Sequence, residues 1–181
     1  LYRLTGETAT DRVIAQFSGM YDLQIGDWHS RLLDAAGITA EQLPRILNPG
    51  DVAGQVSQRA AAELGIPAGV PVCVGANDQL VGAVGAGNVH PGMVSETTGT
   101  ALALIATTDA MLDDTRVCVG RHAVPDAFFV LSFTTTSAIV LKWFRDLCEP
   151  GADYDAFLRG VESVPPGCDG LTVLPHFAGT G

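Results

Sequence analysis

Positive charge is scarce in this sequence. Ten Lys and Arg residues stand against twenty Asp and Glu, which gives a formal net charge of −10, and Lys142 is the single lysine. Nucleic acids and anionic membranes are bound through basic patches, so the composition argues against both as partners. An acidic chain binds a nucleotide only where local N–H groups and a divalent cation offset its field, which favours a metal ion as cofactor.

Cysteine is also sparse, and long apolar runs are absent. The four cysteines show no Cys-x-x-Cys spacing and no histidines at zinc-ligand distance, so we expect core thiols of a reducing cytosol and no metal ligands among them. No apolar run approaches the roughly 18 residues of a membrane helix. The opening residues do not resemble a signal peptide and are typical of the end of a helix. These features predict a cytoplasmic protein. The cysteines are Cys73, Cys118, Cys148 and Cys168.

The remaining composition indicates a packed, turn-rich protein. Hydrophobic residues make up 47% of the chain, charged residues only 17%, and there are 21 glycines, which excludes a disordered chain. A length of 181 residues is sufficient for one good core or two partial ones. Strand and helix patterns alternate along the first half, as in a layered α/β protein.

The most informative stretch runs from residue 70 to residue 87. A short strand pattern stops at Asn77-Asp78 and passes into a helical segment of small residues, which places Asp78 at a strand's carboxyl end and a helix's N-terminus. Open α/β sheets bind ligands at that edge. Two interpretations stay open: Asn77 or Asp78 caps the helix, or Asp78 is a general base that faces a cleft.

A second stretch, residues 93–105, predicts two strands folded about Thr98-Gly99. Hydroxyl residues and glycine form the tip of this hairpin. Backbone N–H groups and hydroxyls at such a tip can surround a phosphate without interference from bulky side chains. A carboxylate on one element and a phosphate cradle on the next make a phosphoryl-transfer pair.

With these two stretches the sequence resembles the FGGY carbohydrate kinases, a family that includes xylulokinase and glycerol kinase. The resemblance rests on motifs that occur in the family's order over nearly the whole chain. They are Leu1 to Glu7 with Thr10-Asp11, Gly26-Asp27-Trp28, Gly75 to Gly87, Thr97 to Thr100, Lys142 to Asp146, and Leu174 to Gly179.

The resemblance implies an α/β fold like actin and ribonuclease H, with two lobes that face each other across a cleft. Residues 1–91 would belong to the first, substrate-binding lobe with the catalytic Asp, and residues 92–181 to the second, nucleotide-binding lobe. The chain would then be a central part of the family's sequence, without its first phosphate loop and its adenosine-binding glycines. We expect these residues alone to have little kinase activity.

Roles for individual residues follow from the same resemblance. Asp78 would accept the proton of a sugar hydroxyl as that oxygen attacks the γ-phosphorus of ATP, and Gln79 would bind a second hydroxyl. Thr97, Thr98, Gly99 and Thr100 would hold the phosphates, with Mg²⁺ bridging them. The expected substrate is a ketopentose such as xylulose, or a polyol, and exposed apolar edges favour a homodimer. The alternative is a non-catalytic nucleotide-binding module of the actin-like group, a chaperone or reactivase.

Several local predictions complete the sequence analysis. Asp11 either caps a helix or contacts substrate, and Asp27 caps a helix that ends at Gly37. A capping box formed by Thr39 and Gln42 begins a short helix to Leu47. The four hydroxyl residues 134–137 predict the start of a helix that could face phosphate or adenosine, and Ser137-Ala138-Ile139 stands where the family has glycines near the nucleotide. Residues 171–174 predict a buried strand.

Overall fold

The computed structural model describes residues 1–174 together with His176 and Phe177. By their internal contacts these residues divide into two compact units. The first contains residues 1–95 and 105–131, and the second contains residues 96–104 and those from 132 onward. The domain boundary near Pro91 concerns the family's lobes and stays a prediction.

The first unit contains most of the helices and all of the two-stranded sheets. Strands β1 and β4 pair in parallel, and β2 pairs with β3 and β5 with β6 antiparallel. The elements to residue 85 are α1 (Tyr2–Thr5), β1 (Ala9–Asp11), α2 (Arg12–Gln16), β2 (Tyr21–Asp22), β3 (Asp27–Trp28), α3 (Ser30–Ala36), a 3₁₀ turn (Ala40–Gln42), β4 (Arg45–Leu47), β5 (Val52–Gln55), α4 (Gln58–Leu64), β6 (Pro71–Cys73) and α5 (Asp78–Gly85).

A four-stranded sheet follows, with the strand order β7-β8-β10-β9. Its strands are β7 (Val94–Thr98), β8 (Leu102–Thr108), β9 (Cys118–Arg121) and β10 (Phe128–Thr134), and the division between the two units falls within three of them. The second unit adds α6 (Ile139–Cys148), α7 (Tyr154–Phe157) and two 3₁₀ turns (Val161–Ser163 and Cys168–Gly170).

Helix ends follow the local sequence signals closely. Ser57 caps α4 by accepting from the N–H of Ala60, and Gly65 ends that helix with φ 69°. Asp11 is 5% exposed, and one of its carboxylate oxygens accepts from the N–H groups of Val13 and Ile14, each at 2.9 Å. Of the two interpretations of Asp11, the structure shows the helix cap.

Two predicted helices in the first unit are wrong in extent. Asp27 lies in β3 and its side chain accepts from the N–H of Trp28, so α3 begins only after His29. The Gln42 side chain does accept from the Thr39 N–H at 2.8 Å, as in a capping box. The turn nevertheless ends at once, because Pro44 disfavours helix at the residue before it and the next three residues pair with β1.

Two predictions in the second unit are wrong, and so is the expectation of core thiols in either unit. Thr134 ends β10, and α6 begins only at Ile139, so the hydroxyl run connects a strand to a helix and does not form the first helical turn. Residues 171–174 are exposed and form no strand. All four cysteines are exposed free thiols. Pro175, Ala178 and Gly179 of the last motif lie outside the described residues.

The core of the first unit is a small apolar cluster that joins two helices to the sheet. Val13 of α2 and Leu80 of α5 are fully buried, and Ile105 and Phe129 come from neighbouring strands. Strand β8 alternates strictly, with every second side chain buried, as expected for a strand with one covered face.

A chain of hydrogen bonds between buried polar side chains lies beside this cluster. His122, Thr107 and Asn88 are each at most 2% exposed. Because His122 Nδ1 accepts from the Val124 N–H at 3.0 Å, its Nε2 carries the proton and donates to Thr107 Oγ1 at 3.4 Å. Thr107 in turn donates to Asn88 Oδ1 at 2.7 Å, and Asn88 Nδ2 donates to the Ile105 carbonyl at 2.8 Å. The His122 imidazole at the start of this series of hydrogen bonds is therefore neutral.

Glycine residues within α5 offer a simple test of helix stability. Nothing lies within 4 Å of a Cβ added at Gly82. Gly82→Ala removes backbone entropy from the unfolded chain and adds no clash. We expect about 1 kcal/mol of added stability and a rise of roughly 2–4 °C in Tm by calorimetry. A lower Tm would contradict the open surroundings of Gly82.

His122 makes stability depend on pH near neutrality. Burial, reinforced by the positive charge of Arg12, lowers the pKa of His122 from 6.5. The unfolded chain therefore binds a proton on His122 at a higher pH than the folded chain does. The contribution of His122 to stability is fully present above about pH 6.5 and declines as the pH falls toward the lowered pKa of the folded state. We expect a smaller free energy of unfolding at about pH 5.5 than at about pH 7.5 in urea titrations.

Acidic residues do not account for that change. Hydrogen bonds hold the pKa values of Asp22, Asp114 and Asp146 below 3.8, so their contributions are lost only at lower pH. In His122→Gln the difference between the two pH values is expected to shrink. An NMR titration that finds the His122 ring protonating at or above its ordinary pKa would contradict the prediction.

Candidate functional site

Asp78 is the first residue of α5 and is exposed. The helix is capped by its predecessor, since Asn77 Oδ1 accepts from the Gln79 N–H at 3.0 Å. One oxygen of Asp78 also accepts from that N–H, at 2.8 Å. The second oxygen accepts no hydrogen bond from the described residues, and it remains available to a ligand.

Gln79 is half-buried and has an unsatisfied acceptor. Its side-chain oxygen Oε1 is buried without a hydrogen-bond partner in the described part of the chain. A buried carbonyl without a donor is costly, by about 1–3 kcal/mol, so such a group is a natural position for a ligand hydroxyl. Asp78 and Gln79 thus present one free carboxylate oxygen and one free amide oxygen at the start of the same helix.

The loop that precedes α5 is fixed by backbone hydrogen bonds to the turn after β4. The N–H of Gly50 donates to the Val74 carbonyl at 2.9 Å, and the N–H of Val74 donates to the Asp51 carbonyl at 3.0 Å. Gly50 has a φ of 90°, a conformation that favours glycine. The carboxyl end of β6 therefore enters the loop at a defined position, three residues before the helix cap.

The hairpin tip is present where the sequence predicts it. Strands β7 and β8 are neighbours joined by residues 99–101, and the Gly99 N–H donates to the Ala101 carbonyl at 2.8 Å. Thr97, Thr98, Gly99 and Thr100 are all exposed. The Thr98 hydroxyl donates to the carboxylate of Glu96, which places a negative charge at the tip.

Within the second unit, the hairpin tip meets the segment before α6. The N–H of Ser137 donates to the Thr100 carbonyl at 3.0 Å. Thr136 beside it is 3% exposed, and its hydroxyl is buried without a partner in the described residues. The sequence shows these hydroxyls as one run but gives no signal that they lie next to the tip, because that contact joins residues far apart in the chain.

Asp78 and the hairpin tip belong to different compact units, so the cleft that would separate them stays a prediction.

The described residues contain no group of three or more His, Cys, Asp or Glu side chains placed to hold a metal ion. A search of the same residues finds no helix that is long and apolar enough to cross a membrane. The features of the tip that fit a nucleotide are the hydroxyls of Thr97 and Thr100, which bond to none of the described residues.

The chain is similar to known carbohydrate kinases. Residues 1–85 match the model of the FGGY family of carbohydrate kinases, N-terminal domain. The autoinducer-2 kinase of Escherichia coli strain K12 is 34% identical over 189 aligned positions, which cover 98% of this chain and 35% of that protein. The chain therefore spans about a third of the length of the curated relatives it matches.

Solved structures show the same similarity in three dimensions. Xylulose kinase from Rhodospirillum rubrum matches with a TM-score of 0.88 and 32% identity, over 98% of this chain and 37% of its own. Gluconate kinase from Lactobacillus acidophilus matches with a TM-score of 0.89 and 26% identity, again over 98% and 37%. The predicted α/β fold of the actin-like, ribonuclease H-like type is thereby confirmed. Residues 1–85 belong to the FGGY family of carbohydrate kinases, as its N-terminal domain, and the chain as a whole is similar to kinases of that kind.

Proposed function

We propose that the protein that carries this chain transfers the γ-phosphoryl group of ATP to a hydroxyl of a sugar or polyol. The observation that carries the proposal is the free oxygen of Asp78 at the exposed start of α5, where Asn77 already supplies the helix cap. A carboxylate that the fold does not need as a cap is free to serve a substrate.

Asp78 is proposed as the general base. Its free oxygen accepts a hydrogen bond from the attacking hydroxyl, orients that oxygen, and takes the proton late in the transfer. Gln79 Oε1, which lacks a donor, accepts a hydrogen bond from a second hydroxyl of the same substrate. Two neighbouring acceptors suit a ligand with adjacent hydroxyls, and phosphoryl transfer depends chiefly on such positioning.

Thr97, Thr98, Gly99 and Thr100 are proposed to hold the phosphates of ATP. The hydroxyls of Thr97 and Thr100, which bond to none of the described residues, would donate hydrogen bonds to the phosphates, and the partner-free Thr136 hydroxyl lies beside Ser137, which contacts Thr100. Magnesium bound with the nucleotide supplies charge neutralisation at the phosphates. The carboxylate of Glu96 at the tip, in a chain of net charge −10, makes this neutralisation necessary.

The substrate class is proposed from the relatives. The proteins that resemble this chain are named as kinases of autoinducer-2, xylulose and gluconate. A ketopentose such as xylulose is our first choice and a related polyol the second. Since the chain spans about a third of those relatives, the complete reaction is proposed for a protein that contains these residues and not for the isolated chain.

A second candidate function is a nucleotide-binding module without sugar chemistry. It is favoured by the other oxygen of Asp78, which accepts from the Gln79 N–H of its own helix at 2.8 Å. In that case Asp78 would stabilise the helix start and the hairpin tip alone would be functional. Removal of the Asp78 charge distinguishes the two functions, because it would lower the turnover of a kinase but leave the nucleotide affinity of a binding module unchanged.

Asp78→Asn tests the proposed base. The amide keeps the size and the helix position but cannot accept the proton, so kcat is expected to fall by about 10²–10⁴ while the affinity for MgATP stays unchanged. The measurement is a coupled assay of ADP formation with xylulose and with polyols, alongside calorimetry with MgATP. Chelation of magnesium is expected to abolish turnover of the unaltered protein.

Asp34→Asn is the matched control for this experiment. Asp34 is an exposed aspartate on α3, so its substitution removes the same charge and is expected to leave kcat unchanged. Equal turnover by the Asp78 and Asp34 variants would reject Asp78 as base. A parent protein that binds MgATP but phosphorylates no sugar would favour the second candidate function.

Gly99→Ala tests the role of the hairpin tip. A Cβ at this position meets only the Ala101 carbonyl, at an ordinary 3.9 Å, so the fold is expected to tolerate the methyl group. The methyl group stands where the backbone must approach a phosphate, and we expect MgATP to bind about tenfold more weakly by calorimetry. Gly82→Ala, on α5, serves as control and should bind MgATP normally. Unchanged affinity in Gly99→Ala with an unchanged Tm would place the phosphates elsewhere.

A further inference from the structure

A polar cavity of about 310 Å³ in the first unit brings together the arginines Arg12 and Arg121. It lies at the carboxyl end of the parallel strands β1 and β4, because Arg12 directly follows β1 and residues 46–48 end β4 and continue beyond it. Ligands of α/β sheets bind at such edges. Tyr21, Ile25 and Gly26 complete the lining.

Neither arginine is neutralised by a carboxylate. In the described part of the chain, no salt bridge involves Arg12 or Arg121, although the sequence has twice as many acidic as basic residues. Arg12 Nη2 donates to the carbonyls of His122 at 3.1 Å and Val124 at 3.3 Å. Arg121 Nε donates to the Leu23 carbonyl at 3.0 Å. These neutral acceptors fix the side chains but leave both positive charges uncompensated.

Two more donors remain for a ligand. Arg12 Nε is buried and has no acceptor within the described residues. The Tyr21 side chain is 8% exposed, and burial raises the pKa of Tyr21, so its hydroxyl stays protonated at neutral pH. The arginines act on this hydroxyl more strongly than Asp27 and Asp22 do. Two arginines without carboxylate partners and a protonated phenol therefore line the same cavity.

We propose that this cavity binds the anionic group, a carboxylate or a phosphate, of a small polar metabolite. Guanidinium groups and a phenol O–H are the donors that such oxygens prefer. The volume, at the lower end of the range for small-molecule sites, fits a phosphate ion or a three-carbon hydroxy acid. None of the residues proposed for the kinase reaction lines the cavity.

Ile25 at the rim provides a test that does not disturb the fold, because its side chain is 76% exposed. Ile25→Glu adds a carboxylate beside the arginines and is expected to weaken the binding of anions about tenfold. Ile25→Gln is the matched neutral control and should bind like the unaltered protein. The measurement is calorimetric titration of the whole protein with inorganic phosphate and, separately, with D-glycerate, in the absence of ATP.

The two probes distinguish the sources of the anionic group. Tighter binding of phosphate identifies a phosphate site and tighter binding of glycerate a carboxylate site, and either supports the proposal. Tyr21→Phe, which removes only a hydroxyl, is expected to weaken the preferred anion about threefold to tenfold. The proposal is overturned if neither anion binds saturably, or if the Glu and Gln variants at position 25 bind equally. Since ATP is absent and Asp78 is unchanged, this result is independent of the proposed kinase function.

Discussion

The packing of Leu80 against Val13 and Phe129 is the constraint on which the candidate site depends. Leu80 and Ala83 are three residues apart on one face of α5, and both are buried in the same cluster. At 3.6 residues per turn, Asp78 lies about 200° from Leu80 and so on the opposite face. Burial of the apolar face therefore exposes the carboxylate, and no contact of Asp78 itself is needed to orient it.

The buried polar side chains of this structure are of two kinds, paired and unpaired. His122, Thr107 and Asn88 pair with one another in the first unit. The described residues contain four buried side-chain atoms without partners, and three of them lie at proposed sites. These three are Arg12 Nε, Gln79 Oε1 and Thr136 Oγ1; the fourth is His29 Nδ1.

Local signals predicted several elements correctly, and long-range pairing overrode others. Gly37 ends α3, and Thr39 and Gln42 form a capping box, both as predicted, because a cap is made within a few residues. The helix expected after Thr39 stops where Arg45 begins to pair with β1, a partner more than thirty residues away. Thr134 extends a strand because the neighbouring strands and its β-branched side chain favour the sheet over a helix start. The periodicity of the sequence does not show which distant strand a segment will pair with.

The sequence by itself determined the family, the α/β fold, the position of Asp78 at a helix start and the hairpin with its threonine-rich tip. Each of these follows from residues close together in the sequence, through caps, glycines and alternating polarity. Each can therefore be predicted without knowledge of distant contacts. Only the tertiary structure decided that Asn77 caps the helix and leaves an oxygen of Asp78 free, that Ser137 contacts Thr100, and that Arg12 and Arg121 share a cavity. The physical reason is that charge compensation and burial are properties of neighbours in space, which the order of residues along the chain does not specify.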